Sequence, residues 1–186
     1  MDSTPDVMQA ILAQVDNEPQ QFAGCCLAIS KPLLQILLAT LPRRPDLILS
    51  VGSGSGLLEG MLLHLSRDEL NLFGVEVPSC DCAYLSPKQV LRVTGTRSLH
   101  PDAILASVLM FVYPRVASLI ASYINACADG ALEKLVWLGH RSDWADCEKI
   151  VSDSFAEVDV VSDAGLPDHE IMVVAALPKP KVMRSS

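Results

Sequence analysis

The run Leu47-Ile48-Leu49-Ser50-Val51-Gly52-Ser53-Gly54-Ser55-Gly56, continued by Leu57-Leu58-Glu59-Gly60-Met61-Leu62-Leu63-His64-Leu65, decides the fold. A compact apolar run ends at glycines in three alternate positions, and a longer leucine-rich segment then begins. Strand, glycine turn and helix in this order open a parallel α/β sheet. Glycines at such a turn let the backbone reverse tightly and approach a ligand where a Cβ would collide. The helix that follows aims free N–H groups at whatever sits there.

Outward from this unit the same alternation continues. Leu72 to Val77 reads as a second strand, Val90 to Val93 as a third, and the apolar run Ile104 to Val112 as a fourth, buried on both faces and punctuated by Pro114. Between Pro78 and Pro87 the chain is irregular, with room for a short helix at most. Val116, Leu119, Ile120, Tyr123 and Ile124 recur at helical spacing and Asp129-Gly130 closes that helix. Leu135 to Leu138 is a fifth strand, Asp143 to Phe155 a helix, Val158 to Val161 a sixth strand and Ile171 to Leu177 a seventh. Upstream, Thr4 to Val15 forms an amphipathic helix behind Ser3-Thr4-Pro5, and Lys31 to Leu41 a second, with Ser30 as its N-cap and Pro32 in its first turn. The expected division is an N-terminal helical extension at 1–42, an α/β domain at 43–177 and a disordered tail at 178–186.

Composition narrows the function classes. With 186 residues, half of them apolar and 19% charged, the chain has the makings of one domain with a real core. No apolar run approaches the roughly 20 residues that cross a bilayer. Fourteen basic against 22 acidic residues leave a net charge of −8, which repels phosphate backbones and speaks against a nucleic-acid partner. The N-terminus carries no Lys or Arg before Lys31, so it lacks the head of a secretory or transit signal and a cytoplasmic location is expected. The six cysteines include the adjacent Cys25-Cys26 and the pair Cys80 and Cys82, but no matched CxxC pairs; reduced thiols and no metal are expected. Of the four histidines, His64 and His100 read as surface or packing residues, while His140 follows the fifth strand at the ligand edge and His169 lies in the loop before the seventh.

The glycine spacing separates ligand classes. A dinucleotide fingerprint GxGxxG read from Gly52 finds Leu57 at its third glycine, and read from Gly54 finds Glu59. No lysine follows to make a P-loop. The pattern that fits is GxGxG, and Leu49-Ser50-Val51-Gly52-Ser53-Gly54-Ser55-Gly56 resembles the first motif of the class I S-adenosylmethionine-dependent methyltransferases. The resemblance extends from about Ser30 to Leu177 through the order of strands and helices. It implies a three-layer α/β sandwich with a mostly parallel seven-strand sheet, its last strand inserted antiparallel, preceded here by N-terminal helices. It also implies S-adenosylmethionine as cofactor and methyl transfer to a small-molecule or protein acceptor as activity. The rival reading is a methyltransferase-like fold without methyl transfer, doing a different reaction or serving a binding or structural role.

Site residues follow from the same resemblance. Ser50, Gly52, Ser53, Gly54, Ser55 and Gly56 would cradle the cofactor, and Glu76, 20 residues past Gly56, would accept its ribose hydroxyls. Thr96 would lie at the adenine amino group. Val112-Tyr113-Pro114-Arg115 resembles the WPPY-type corner of some members, which makes Tyr113 the candidate catalytic residue beside the acceptor. Two positions depart from the family pattern: Ser50 and Thr96 carry hydroxyls where members usually carry acids. A hydroxyl brings no charge, and a charge-assisted hydrogen bond is roughly twice as strong as a neutral one.

Overall fold

The computed structural model describes residues 4–177, so the expectation for the tail at 178–186 lies outside the described residues. Two helices come first, α1 (Thr4–Leu12) and α2 (Lys31–Thr40). The alternating part runs β1 (Leu47–Val51), α3 (Leu57–Leu65), β2 (Asn71–Glu76), β3 (Val90–Arg92), β4 (Ala106–Val112), α4 (Ala117–Cys127), β5 (Lys134–His140), α5 (Arg141–Ser154), β6 (Glu157–Val160) and β7 (Glu170–Ala176).

The strands form one sheet in the order β3-β2-β1-β4-β5-β7-β6. The pairs β1–β2, β1–β4, β2–β3 and β4–β5 are parallel, whereas β7 lies antiparallel between β5 and β6. Strand order reverses between β1 and β4, where open α/β sheets bind ligands at the carboxyl ends of their strands.

Alternation along the strands divides the core into two layers. Ile48, Leu72, Val108, Met110, Val136 and Leu138 share one cluster with Met8 of α1, Leu33 and Leu37 of α2, and Leu58 and Met61 of α3. Leu49, Val75, Leu109, Phe111, Leu135 and Trp137 share the other with Ile120 and Tyr123 of α4 and Trp144 and Val151 of α5. Helices on both faces make the three-layer sandwich, with α1 and α2 packed on the same face as α3.

The structure moves several boundaries: β5 runs on to His140, α5 starts at Arg141, and two further shifts have a clear local cause. Strand β4 starts at Ala106, because Pro101–Leu105 form a 3-10 turn whose second residue, Asp102, is capped by the His100 ring; Ile104 and Leu105 are apolar yet 46% and 60% exposed. Helix α1 ends at Leu12 rather than Val15, its last turn tightening through hydrogen bonds from Gln14 to Ile11 and Val15 to Leu12.

Ser30 links the N-terminal helices to the far end of the sheet. Its buried Oγ accepts from the Leu33 N–H at 3.2 Å as the N-cap of α2 and donates to the Gly165 carbonyl at 2.6 Å. Ser30→Ala removes the cap and strands a part-buried carbonyl, so urea unfolding should show a loss of about 2 kcal/mol.

Candidate functional site

The carboxyl ends of β1, β2 and β4 converge on the glycine turn. Gly52, Gly54 and Gly56 have φ of +76°, +58° and +75°, so the chain passes three times through the left-handed region that favours glycine. A Cβ added at Gly52 or Gly54 would meet no protein atom within 4 Å, whereas one at Gly56 would strike Leu85. The first two glycines thus face open space and the third packs under the following loop.

The turn is held by its neighbours. The Gly52 N–H donates to the Val75 carbonyl at 2.9 Å, and the Gly54 N–H to Glu76 Oε1 at 2.7 Å. Glu76 Oε2 accepts from the Val77 N–H at 3.1 Å. A carboxylate offers about four lone-pair sites, so two such bonds leave acceptor capacity for ligand hydroxyls. Beyond β2, the loop is fastened by Arg92, which donates to the carbonyls of Val77 and Cys80 at 2.8 and 3.0 Å, while the Cys80 thiol contacts the Gly54 carbonyl at 3.4 Å.

A cavity of about 70 Å³ lies against the turn, lined by Gly52, Ser53, Gly54, Glu59, Val112 and the segment Gly24–Cys26. That segment is drawn over the turn by the Ser55 hydroxyl, which donates to the Gly24 carbonyl at 2.7 Å. Burial pushes the Cys25 thiol up to about 12, so it stays protonated and inert as a nucleophile at neutral pH. All six cysteines are free, and among the described residues no group of three potential metal ligands converges.

The sequence pattern assigns Glu59 no role in the site, but the structure does. Glu59 sits in the first turn of α3, is 1% exposed, and accepts from the Ser50 hydroxyl at 2.5 Å. Burial pushes its carboxyl up to about 7; the Ser50 hydrogen bond pulls it down and the Glu76 charge pushes it further up. The only sequence signal was an acid inside an apolar helix, a position that a solvent-facing residue fills equally well.

The remaining site residues divide. Ser50 is fully buried and reaches the cavity through Glu59. Thr96 is exposed in the turn beyond β3 and does not line the cavity. Tyr113 has φ +49°, held there by its N–H donating to the Leu138 carbonyl at 2.7 Å and its hydroxyl donating to Glu170 Oε1 at 2.6 Å. Burial and the Glu170 carboxylate hold the phenol above its ordinary range. Glu170, 3% exposed, also accepts from the Ala28 N–H at 3.1 Å. The His140 and His169 rings lie 5.6 Å apart, and His140 Nδ1 caps α5 by accepting from the Ser142 N–H at 3.2 Å.

The burial of Glu59 has a thermodynamic signature. Its folded pKa lies above the unfolded one, so its contribution to stability is complete below about pH 4.5, falls as pH rises, and levels off above about pH 7. Glu59→Gln keeps a partner for Ser50 without ionising. Its stability relative to wild type should rise through that window at up to about 1.4 kcal/mol per pH unit, measured by urea unfolding at several pH values.

No protein-family model and no curated sequence matches the chain. Solved structures do resemble it. The S-adenosylmethionine-dependent methyltransferase SibL, in its apo form, aligns with a TM-score of 0.52 at 15% identity over 78% of this chain and 55% of that one. Human N-acetylserotonin methyltransferase in complex with S-adenosylmethionine aligns at 0.54 and 13% over 94% and 55%. The chain thus spans about half the length of both. Precorrin-6y C5,15-methyltransferase from Geobacter metallireducens aligns at 0.54 and 15% over 88% of this chain and 98% of that one. These likenesses, with the strand order and the antiparallel β7, identify the architecture: the chain has the Rossmann-like fold of the class I S-adenosylmethionine-dependent methyltransferases and carries it with a divergent sequence.

Proposed function

We propose that this chain binds S-adenosylmethionine at the carboxyl ends of β1 and β2 and transfers its methyl group to a small-molecule or protein acceptor. The observation that carries the reading is the glycine turn: three left-handed glycines, two of them with their Cβ directions open, beside a strand-end carboxylate. The residues fit the cofactor's chemistry. Gly52 and Gly54 leave room for close approach, Glu76 beside the turn retains acceptor capacity for hydroxyls, and Glu59 places a carboxyl on the cavity wall. The net charge of −8 favours an acceptor other than nucleic acid.

When bound, the cofactor supplies an electrophilic sulfonium methyl. The protein's part is orientation, which contributes up to about 7–11 kcal/mol in well-aligned systems. Val112 lines the cavity and Tyr113 follows where β4 stops, so the Tyr113 ring supports an acceptor pocket at that edge. Its hydroxyl is already committed to Glu170, which leaves the ring as the part it offers.

One observation favours the second reading, a methyltransferase-like fold without methyl transfer. The cavity of about 70 Å³ is far below the roughly 300 Å³ or more of ordinary small-molecule sites. The Gly24–Cys26 segment lines the cavity and is the part that would give way to a cofactor.

Thermal shift with S-adenosylmethionine, S-adenosylhomocysteine and NADH separates the readings. At 100 times its Kd a ligand adds about 2.7 kcal/mol, and the first two should stabilise the protein while NADH does not. No shift with any of them favours the second reading. Gly54→Val should remain folded, at a cost of about 1–2 kcal/mol for the left-handed backbone, and lose cofactor binding in calorimetry. Tyr113→Phe strips buried Glu170 of a donor and should cost about 1–3 kcal/mol of stability in urea, with transfer rate little changed if the ring alone shapes the pocket.

A further inference from the structure

Glu59 is a buried carboxyl on the cavity wall, and among the described residues no cation pairs with it. It is the one acid among the lining residues, and among the described residues it belongs to no ion pair. The charged and titratable groups around it are Glu76 at the end of β2, which opposes its ionisation, and Cys25 in the covering segment, held as a neutral thiol. Ser50 on β1 donates to it. Buried carboxyls are nearly always paired, because an isolated charge in a low-dielectric site costs far more than its hydrogen bonds return. A core that needed only a partner for Ser50 would be served by a neutral amide of the same shape.

We propose that Glu59 is the receptor for the cationic group of the ligand, the ammonium of an amino-acid moiety, with Ser50 positioning it. This rests on the cofactor reading above and deepens it. The carboxylate that the family resemblance places at position 50 on β1 is supplied instead from α3, nine residues along the chain, and the Ser50 hydroxyl bridges the two positions. A carboxylate as buried as Glu59 interacts with an ammonium more strongly than one at the surface. The arrangement ties binding to pH. The carboxyl must ionise to receive the cation, so acidification below its pKa weakens binding by up to tenfold per pH unit for a ligand that carries the ammonium.

The test is calorimetry with S-adenosylhomocysteine and its desamino analogue, which keeps the carboxylate and lacks the ammonium, on the full chain between pH 6 and 8.5. Wild type should bind S-adenosylhomocysteine at least about tenfold more tightly than the analogue at pH 8.5, and the ratio should shrink toward pH 6. In Glu59→Gln the ratio should collapse toward one at all pH values. Ser50→Ala removes a bond that favours the ionised carboxyl, so its pH profile should move to higher pH; this variant also serves if Glu59→Gln fails to fold. A folded Glu59→Gln that keeps the wild-type ratio, or a Ser50→Ala profile that does not move, overturns the proposal while leaving the cofactor reading intact. Wild type that binds neither compound overturns both.

Discussion

Strand β1 has to end at the carboxyl edge of the sheet and turn back as a helix within five residues, and the rest of the molecule is arranged around that constraint. The strand is central and buried on both faces, so it cannot bend gradually without opening the core. Three left-handed residues make the reversal, and glycine is the residue that adopts that conformation without steric cost. The turn is then braced from the side by Glu76, whose carboxylate takes the Gly54 N–H, and from below by Leu85, which fills the space a Gly56 side chain would need. The features that make the turn possible also leave its outer surface bare at Gly52 and Gly54.

The N-terminal segment completes the site as well as the core. Met8, Leu33 and Leu37 pack on the face that α3 occupies. Between α1 and α2 the chain crosses the carboxyl edge of the sheet, where three polar contacts hold it: Ser55 to Gly24, Ala28 to Glu170, and Ser30 to Gly165. Two of these reach β7 and the loop that precedes it, so the cover over the glycine turn depends on residues more than 130 positions away. Tyr113 joins the same network through Glu170, which accounts for its left-handed backbone: two short hydrogen bonds hold a conformation that a bulky residue otherwise avoids.

Three carboxyls, Glu59, Glu76 and Glu170, lie at the centre of this edge. They satisfy themselves on hydroxyls and backbone N–H groups, and among the described residues none is in an ion pair. Such groups favour hydroxyl-rich or cationic ligands and disfavour phosphate, in keeping with the failure of the dinucleotide and P-loop spacings.

The strands, the glycine turn and the order of the elements could be read from the chain alone. Those features are local: apolar runs, alternate glycines, the Ser30 cap and the Pro114 stop each act within a few residues, and β1 and α3 appear with the bounds read from the chain. Glu76 beside the glycines was legible too, since a fixed strand–helix–strand length brings the end of β2 next to the end of β1. The residues that arrive at the site from distant parts of the chain could not be read this way. The Gly24–Cys26 cover, the pairing of Ser50 with Glu59 and the Tyr113–Glu170–Ala28 chain depend on which side chains face inward once the layers are packed. An acid in a helix looks the same in sequence whether it meets water or a buried hydroxyl. Ile104 and Leu105 show the converse: apolar residues that extend a strand on paper lie exposed in a 3-10 turn, because a proline and a capping histidine set the backbone before burial does.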